Sequence, residues 1–257
     1  MIANEFNDYF CNVGCNLSKL LPPGDFDFKP YLKNSISNSI VCEKATQYEL
    51  HNIISHLNNS KSSSDNNFSN FLVKMCKNEI LHPLLHVFNL SLEYGVFPSK
   101  LKTAKVIPLF KCGDATLMSN YRPISLISPF AKILERLMYT RVMSFFDRHN
   151  VLYDYQFGFR KGYNTTLAVI DIVNMIETEL ASKKYVLGLF LDLKKAFDTV
   201  DFNILIYQLN HYGIRGHVLN WFKSYLLNRK QFTHVNGISS TNLETKCGVP
   251  QESVLGL

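Results

Sequence analysis

From Tyr185 to Leu191 the chain is apolar at every position but Gly188, and the run ends on an acid, Asp192. A run of strand length without period-two alternation predicts a strand covered on both faces, which requires other elements on each side of it. A lone carboxylate loses several kcal/mol on desolvation unless it is paired or bound to a cation. Asp192 at the strand exit therefore reads either as a ligand for a cation or as a turn or helix N-cap residue.

The rest of the chain is able to supply the covering layers. It has 257 residues, 46% of them hydrophobic, enough for a substantial core and unlike a compositionally disordered tail. Thr46-Gln47-Tyr48-Glu49 has capping-box spacing, and Leu50, Ile53, Ile54 and Leu57 share one face, which predicts a helix over 47–57. The polar run Asn58 to Asn67 predicts a loop. Residues 70–94 read as helical with an interruption near Pro83, stopped by Gly95 and Pro98. Residues 1–45, with Pro22-Pro23-Gly24 and Pro30, read as a loosely ordered lead-in. Ala104–Phe110 and Tyr121–Ile127 are short, apolar and β-branched, and predict a hairpin across a long polar turn holding Gly113-Asp114. Ser128-Pro129 opens a helix to about Asn150, a second helix covers 165–182, and two more cover 201–211 and 216–227 around Gly213. Asn236-Gly237 predicts the turn of a hairpin within 231–247. There is no internal repeat.

Composition narrows the function classes. Lys plus Arg number 27 against 21 Asp plus Glu, a net charge of +6 that permits a polyanionic partner without requiring one. No apolar run approaches the roughly 20 residues of a membrane span, and the N-terminus lacks a secretory pattern, so no membrane partner and an intracellular location are expected. Six scattered cysteines fit reduced thiols. Cys11, Cys15 and Cys42 read as ordinary thiols, since no second close Cys/His pair completes a zinc pattern.

Four blocks in order carry a resemblance. Phe190-Leu191-Asp192-Leu193-Lys194-Lys195-Ala196-Phe197-Asp198 resembles motif A of the reverse transcriptases of non-LTR (LINE-type) retrotransposons. Lys105–Lys111 with Asn120–Ser125 resembles that family's fingers hairpin, Gln156–Gly162 its next block, and Gly248-Val249-Pro250-Gln251 the start of its motif B. The resemblance runs over nearly the whole chain. It implies an α+β, right-hand polymerase-like fold with fingers, an incomplete palm and a helical N-terminal extension. The divisions are a lead-in at 1–45, the extension at 46–100, a fingers-like region at 101–184 and a partial palm at 185–257.

The implied activity is RNA-directed DNA polymerisation: a dNTP is added to a DNA primer on an RNA template by two divalent cations. Asp192 matches the first catalytic, metal-binding aspartate and the Leu193 carbonyl a further metal ligand. Magnesium (Mg2+) suits such hard oxygen donors, with Mn2+ as its substitute. Lys111 and Arg122 match the triphosphate cradle, and read by themselves as two solvated basic residues on a hairpin. Phe197 matches the aromatic gate beneath the sugar, or is a core aromatic; Gln251 matches a residue near nucleotide and template, or is a turn residue. Arg160 and Lys161 match template-backbone contacts, or form a solvated loop pair. The family also implies an endonuclease domain in a full-length parent and action in cytoplasm and nucleus.

Departures from the pattern are equally concrete. The second and third family aspartates follow motif B and are not reached by Leu257; Glu252 stands where the family has Gly; and Asp65 is flanked by Ser64 and Asn66 instead of glycines. The expectation is a truncated chain without polymerase activity and of poor solubility, its strand edge left uncovered. Two other readings stay open: a noncatalytic nucleic-acid-binding remnant of a mobile element, and an RNA-dependent RNA polymerase fragment, against which Phe197 argues.

Overall fold

A computed structural model describes residues 2–20, 27–60, 68–251 and 253–256. The chain divides into two units, Met1–Phe145 with Lys195–Leu257, and Phe146–Lys194. Residues 61–67 of the expected 58–67 loop, with Ser64, Asp65 and Asn66, and also Pro22-Pro23-Gly24 and Glu252, lie outside the described residues.

The first unit is built on a five-stranded mixed sheet. β1 (Thr103–Phe110) and β2 (Tyr121–Leu126) form the expected antiparallel hairpin, with Phe110 opposite Tyr121 and Leu109 opposite Arg122. β3 (Lys230–Val235) runs parallel to β1, from Thr103 opposite Lys230. It pairs antiparallel with β4 (Ile238–Ser239) and β5 (Leu243–Glu244). The β3–β4 turn is the expected Asn236-Gly237, both residues at positive φ, the geometry whose twist matches the flanking strands.

The N-terminal segment is more regular than the expected loosely ordered lead-in. Residues Ile2–Ser18 form a helix, α1, that packs on this sheet. Ala3, Phe6, Phe10 and Val13 recur at helical spacing and are buried, and Phe6 meets Tyr121 edge to face at 4.9 Å. Asn7, fully buried, gives its amide to the Thr241 carbonyl at 2.9 Å and accepts from Thr233 Oγ1 at 3.3 Å, stitching helix to sheet. The prolines of the lead-in drew the sequence reading away from this stripe.

The remaining helices of this unit make a second packed layer. α2 (Gln47–Ser55) is capped by Thr46 Oγ1, which accepts the Glu49 N–H at 3.1 Å. The Glu49 carboxylate turns away from the reciprocal cap to grip Arg141 in two bonds of 2.9 and 3.0 Å. The interruption expected near Pro83 falls at Cys76 instead, between α3 (Asn70–Met75) and α4 (Lys77–Tyr94). Pro83 is tolerated inside α4 because it and Glu79, whose carbonyl loses its donor, are both exposed. α4 stops at Gly95 with φ 66. α5 (Pro129–Arg148), α7 (Phe202–His211) and α8 (Gly216–Leu226) follow the sequence expectation. Trp221 of α8 stacks on Tyr225 at 5.6 Å and donates its indole N–H to Ser91 Oγ at 3.0 Å.

The second unit holds the end of α5, a loop, α6 (Thr165–Ala181) and the segment to Lys194. The expected buried strand at 185–191 is not formed. Tyr185 is fully exposed and Phe190 is 90% exposed. No described strand belongs to this unit, so the backbone N–H and C=O groups of 185–191 have no ladder to join and the side chains no opposing layer. Exposed apolar residues in extended chain are an association hazard. Leu187→Lys with Leu189→Lys is expected to lower light scattering of the purified chain at fixed concentration and to leave its melting temperature unchanged, since both sites are exposed; unchanged scattering would count against this. No helix among the described residues is long and apolar enough to cross a membrane.

Candidate functional site

In the first unit, two segments far apart in sequence close on one carboxylate. Lys195 takes a left-handed conformation, φ 55, and its carbonyl accepts the Asp198 N–H at 3.0 Å, turning the chain just after the motif A core. The turn at 248–251 docks there: Gly248 N–H donates to the Val200 carbonyl and Val249 N–H to the Phe197 carbonyl, both at 2.9 Å. Gln251 Nε2 then donates to Asp198 Oδ1 at 2.9 Å. Gly248 lies at φ 81, and a Cβ there would sit 2.9 Å from the Asp198 Cα, so glycine is required both by conformation and by space.

Asp198 Oδ2 and the Arg229 Nη2 are buried without hydrogen-bond partners. Both residues line a cavity of about 40 Å³, together with Phe10, Pro123, Gln231 and Gln251. Burial pushes the Asp198 carboxyl up, with the Gln251 amide and the Lys195 charge pulling it back. Burial and then the Asp198 charge raise the Tyr9 phenol.

The segment behind this turn is held by a carboxylate that the sequence reading passed over. Glu135 of α5 is fully buried, and its Oε2 accepts the Val254 N–H at 2.8 Å and the Leu255 N–H at 3.4 Å. Its Oε1 has no hydrogen-bond partner. Burial raises the Glu135 carboxyl; Arg229, the two N–H groups and the Tyr225 hydroxyl oppose the shift. Arg229, 2% exposed, lies over the Tyr225 ring at 4.8 Å. The signal was present: Glu135 follows Ala131 and Leu134 and precedes Met138 on the apolar stripe of α5, where a charge without a purpose is costly. Asp198 closes the motif A block, and nothing in that spacing marks it as the carboxylate that Gln251 reaches.

Lys111 and Arg122 are exposed at the turn-proximal end of the β1–β2 hairpin. Arg122 is paired with Leu109, and the Lys111 N–H donates to the Asn120 carbonyl at 2.9 Å, so both side chains leave the same face of the hairpin. Pro123 and Ser125, which line the Asp198 cavity, alternate to the other face. The structure thus brings Gln251 and the Phe197 backbone together, and places Lys111 and Arg122 on the opposite side of the sheet.

Asp192, Leu193, Arg160 and Lys161 belong to the second unit. Asp192 is exposed, in place of the expected position at the end of a buried strand, and Leu193 is exposed with it. The physical reason is the missing ladder for 185–191. Arg160 donates to the Tyr153 carbonyl at 3.0 Å and stacks over the Tyr163 ring at 4.2 Å; Lys161 is exposed. Tyr153, Tyr155, Phe159 and Tyr163 expose their rings in the same loop. Among the described residues no group of three His, Cys, Asp or Glu side chains is placed to hold a metal ion.

The chain is a mixed α+β protein, and sequence comparison specifies its family. Residues 109–256 match the family Reverse transcriptase (RNA-dependent DNA polymerase); the chain belongs to that family. It is 31% identical over 227 residues to the RNA-directed DNA polymerase from mobile element jockey of Drosophila melanogaster, covering 88% of this chain and 25% of the relative. It is 30% identical over 232 residues to the probable RNA-directed DNA polymerase from transposon BS of the same species, with 88% and 25% covered. The corresponding figures for the probable polymerase from transposon X-element are 30% over 209 residues, 81% and 23%. These relatives place the chain among reverse transcriptase domains of LINE-type elements. The chain spans about a quarter of the length of the curated relatives it matches.

Proposed function

We propose that this chain supplies the fingers, at 101–184, and part of the palm, at 185–257, of a right-hand reverse transcriptase that extends a DNA primer on an RNA template with dNTPs. The observation that carries this reading is the junction in which Gln251, 53 residues from Asp198, reaches its carboxylate while the 248–249 backbone binds that of 197–200. Two blocks that the family shares are thereby joined at one cavity.

In this reading Arg122, by a planar two-point contact, and Lys111 bind phosphate groups on the exposed face of the hairpin, the face turned away from the Asp198 cavity. Phe197 forms the floor beneath the sugar, and Gln251 acts through Asp198 as a positioning residue. Arg160, ordered against Tyr163, and the free-standing Lys161 lie along the template backbone, and the exposed rings of Tyr153, Tyr155 and Phe159 offer stacking surfaces to unpaired bases.

Divalent metals serve this family. Asp192 and the Leu193 carbonyl are hard oxygen donors of the right kind, and by themselves they do not make a site for two ions. The exposed rings of Tyr153, Tyr155 and Phe159 beside Arg160 and Lys161 also support a second reading, nucleic-acid binding without chemistry. Primer extension on a homopolymer RNA template with Mg2+ separates the two: the 257-residue chain alone is expected to incorporate no nucleotide, and robust incorporation would overturn that expectation.

Binding tests the part both readings share. In fluorescence anisotropy with a short single-stranded RNA, Tyr155→Ala is expected to weaken binding about tenfold through lost stacking. Lys161→Ala is expected to lower the slope of log affinity against log salt by about 0.7, one phosphate contact. If both variants bind as the parent chain does, the loop is not the template contact.

A further inference from the structure

Cys15, near the end of α1, and Cys247, on the residue before Gly248, bring their sulfur atoms to 3.0 Å. Both thiols are half-buried. The contact is not an accident of two mobile side chains, because the backbone on each side is pinned. The α1 glycine next to Cys15, Gly14, packs so closely on the Asp198 carbonyl that any Cβ there would overlap it. Gly248, next to Cys247, is hydrogen-bonded to Val200 at 2.9 Å. A disulfide has its sulfurs at about 2.05 Å, so closure asks for a movement of roughly 1 Å.

We propose that Cys15 and Cys247 are a site of reversible oxidation. A small-molecule disulfide such as oxidised glutathione converts them to a cross-link that ties α1 to the turn carrying Gly248 and Gln251. The Cys15 thiolate attacks one glutathione sulfur, forming a mixed disulfide and releasing one glutathione, which takes up a proton. Cys247 gives its proton to solvent, attacks the Cys15 sulfur and displaces the second glutathione. Two protein thiols are oxidised and one small-molecule disulfide is reduced to two thiols.

The order of events follows from the surroundings. Burial and the neighbouring Cys15 sulfur push the Cys247 thiol up to about 12, so at neutral pH it stays protonated and the first attack falls to Cys15. Once Cys15 is in the mixed disulfide, the attack by Cys247 is intramolecular. The competing partner is Cys11, one helical turn from Cys15, but it is buried and its thiol is likewise pushed up to about 12. The cross-link would brace the Asp198–Gln251 contact whatever the chain's substrate.

The test is to equilibrate the full chain in a glutathione buffer rich in the oxidised form, alkylate remaining thiols, and map peptides by mass spectrometry. The expected product is one Cys15–Cys247 peptide pair, a mass loss of one hydrogen molecule, reversal by dithiothreitol, and no such pair in Cys15→Ser or Cys247→Ser. The oxidised parent chain is expected to melt on the order of 10 °C above its reduced form, with no shift in Cys247→Ser. Free thiols, stable mixed disulfides, or a Cys11–Cys15 pair in the parent chain would overturn the proposal, and need no variant to fold. A cross-link that leaves the melting temperature unmoved would overturn its role as a tie.

Discussion

Glu135→Ala is expected to cost about 4 kcal/mol of unfolding free energy, with Glu135→Gln costing about half as much. The alanine leaves three things uncompensated in a site without solvent. The Val254 and Leu255 N–H groups lose their acceptor. Arg229, 2% exposed and already with an unpaired Nη2, loses the nearby negative charge that offsets its own. The space of the side chain becomes a void. Glutamine keeps an acceptor for the two N–H groups and fills the space, giving up only the charge. Urea unfolding of the three proteins measures the difference; equal stability would show that the 253–256 segment is held by its other contacts.

The same pair reveals the carboxyl's titration. Burial, the dominant cause, raises the Glu135 carboxyl above its unfolded value of about 4.3. Between that value and the raised one, the native state holds a proton that the unfolded chain has released. The carboxyl's contribution to stability is therefore full below the unfolded value and is lost as pH rises through the folded one. Asp198 is raised as well and adds a slope of the same sign, so the parent chain and Glu135→Gln are compared at each pH. The gap between them isolates Glu135 and should narrow as pH rises.

What could be read from the sequence was local. The Thr46 cap, the stop at Gly95, the β1–β2 hairpin and the Asn236-Gly237 turn rest on residues whose own chemistry sets the backbone, and all four are present. Pro83 misled because a proline's effect depends on whether the carbonyl it orphans reaches water, which is a matter of burial. α1 was missed because prolines in the following segment outweighed a regular stripe of Ala3, Phe6, Phe10 and Val13. The strand expected at 185–191 required partners, and apolar character alone specifies burial without supplying a ladder. The site divides the same way. The motifs marked Gln251 and Phe197, but not that Gln251 would spend its amide on Asp198, nor that Glu135, 119 residues from Val254, would hold the following segment. Those are long-range contacts, and no spacing rule encodes them.

Gly14→Ala is expected to destabilise the chain by about 3 kcal/mol or more, although alanine in place of glycine inside a helix ordinarily gains about 1 kcal/mol. The sign is reversed by what the new methyl meets. It would overlap the Asp198 carbonyl oxygen and lie 2.8 Å from the carbonyl carbon and 2.9 Å from Cys247 Sγ. None of these is the free end of a flexible chain: one is backbone, and the other sits on the pinned turn. Gly158→Ala is the control, since a Cβ there meets nothing within 4 Å, and its effect should stay within about 0.5 kcal/mol. Gly248→Ala presses on the same short stretch from the other side, 2.9 Å from the Asp198 Cα and from the Phe197 carbonyl oxygen. If the 197–198 backbone is clamped between α1 and the 248–251 turn, the first methyl already forces the clamp open and the second finds room. Thermal or urea melts of the double variant should then show less than the sum of the single losses, by more than about 0.5 kcal/mol. Strict additivity would mean that the two glycines report on separate contacts, and that Asp198 is not held between them.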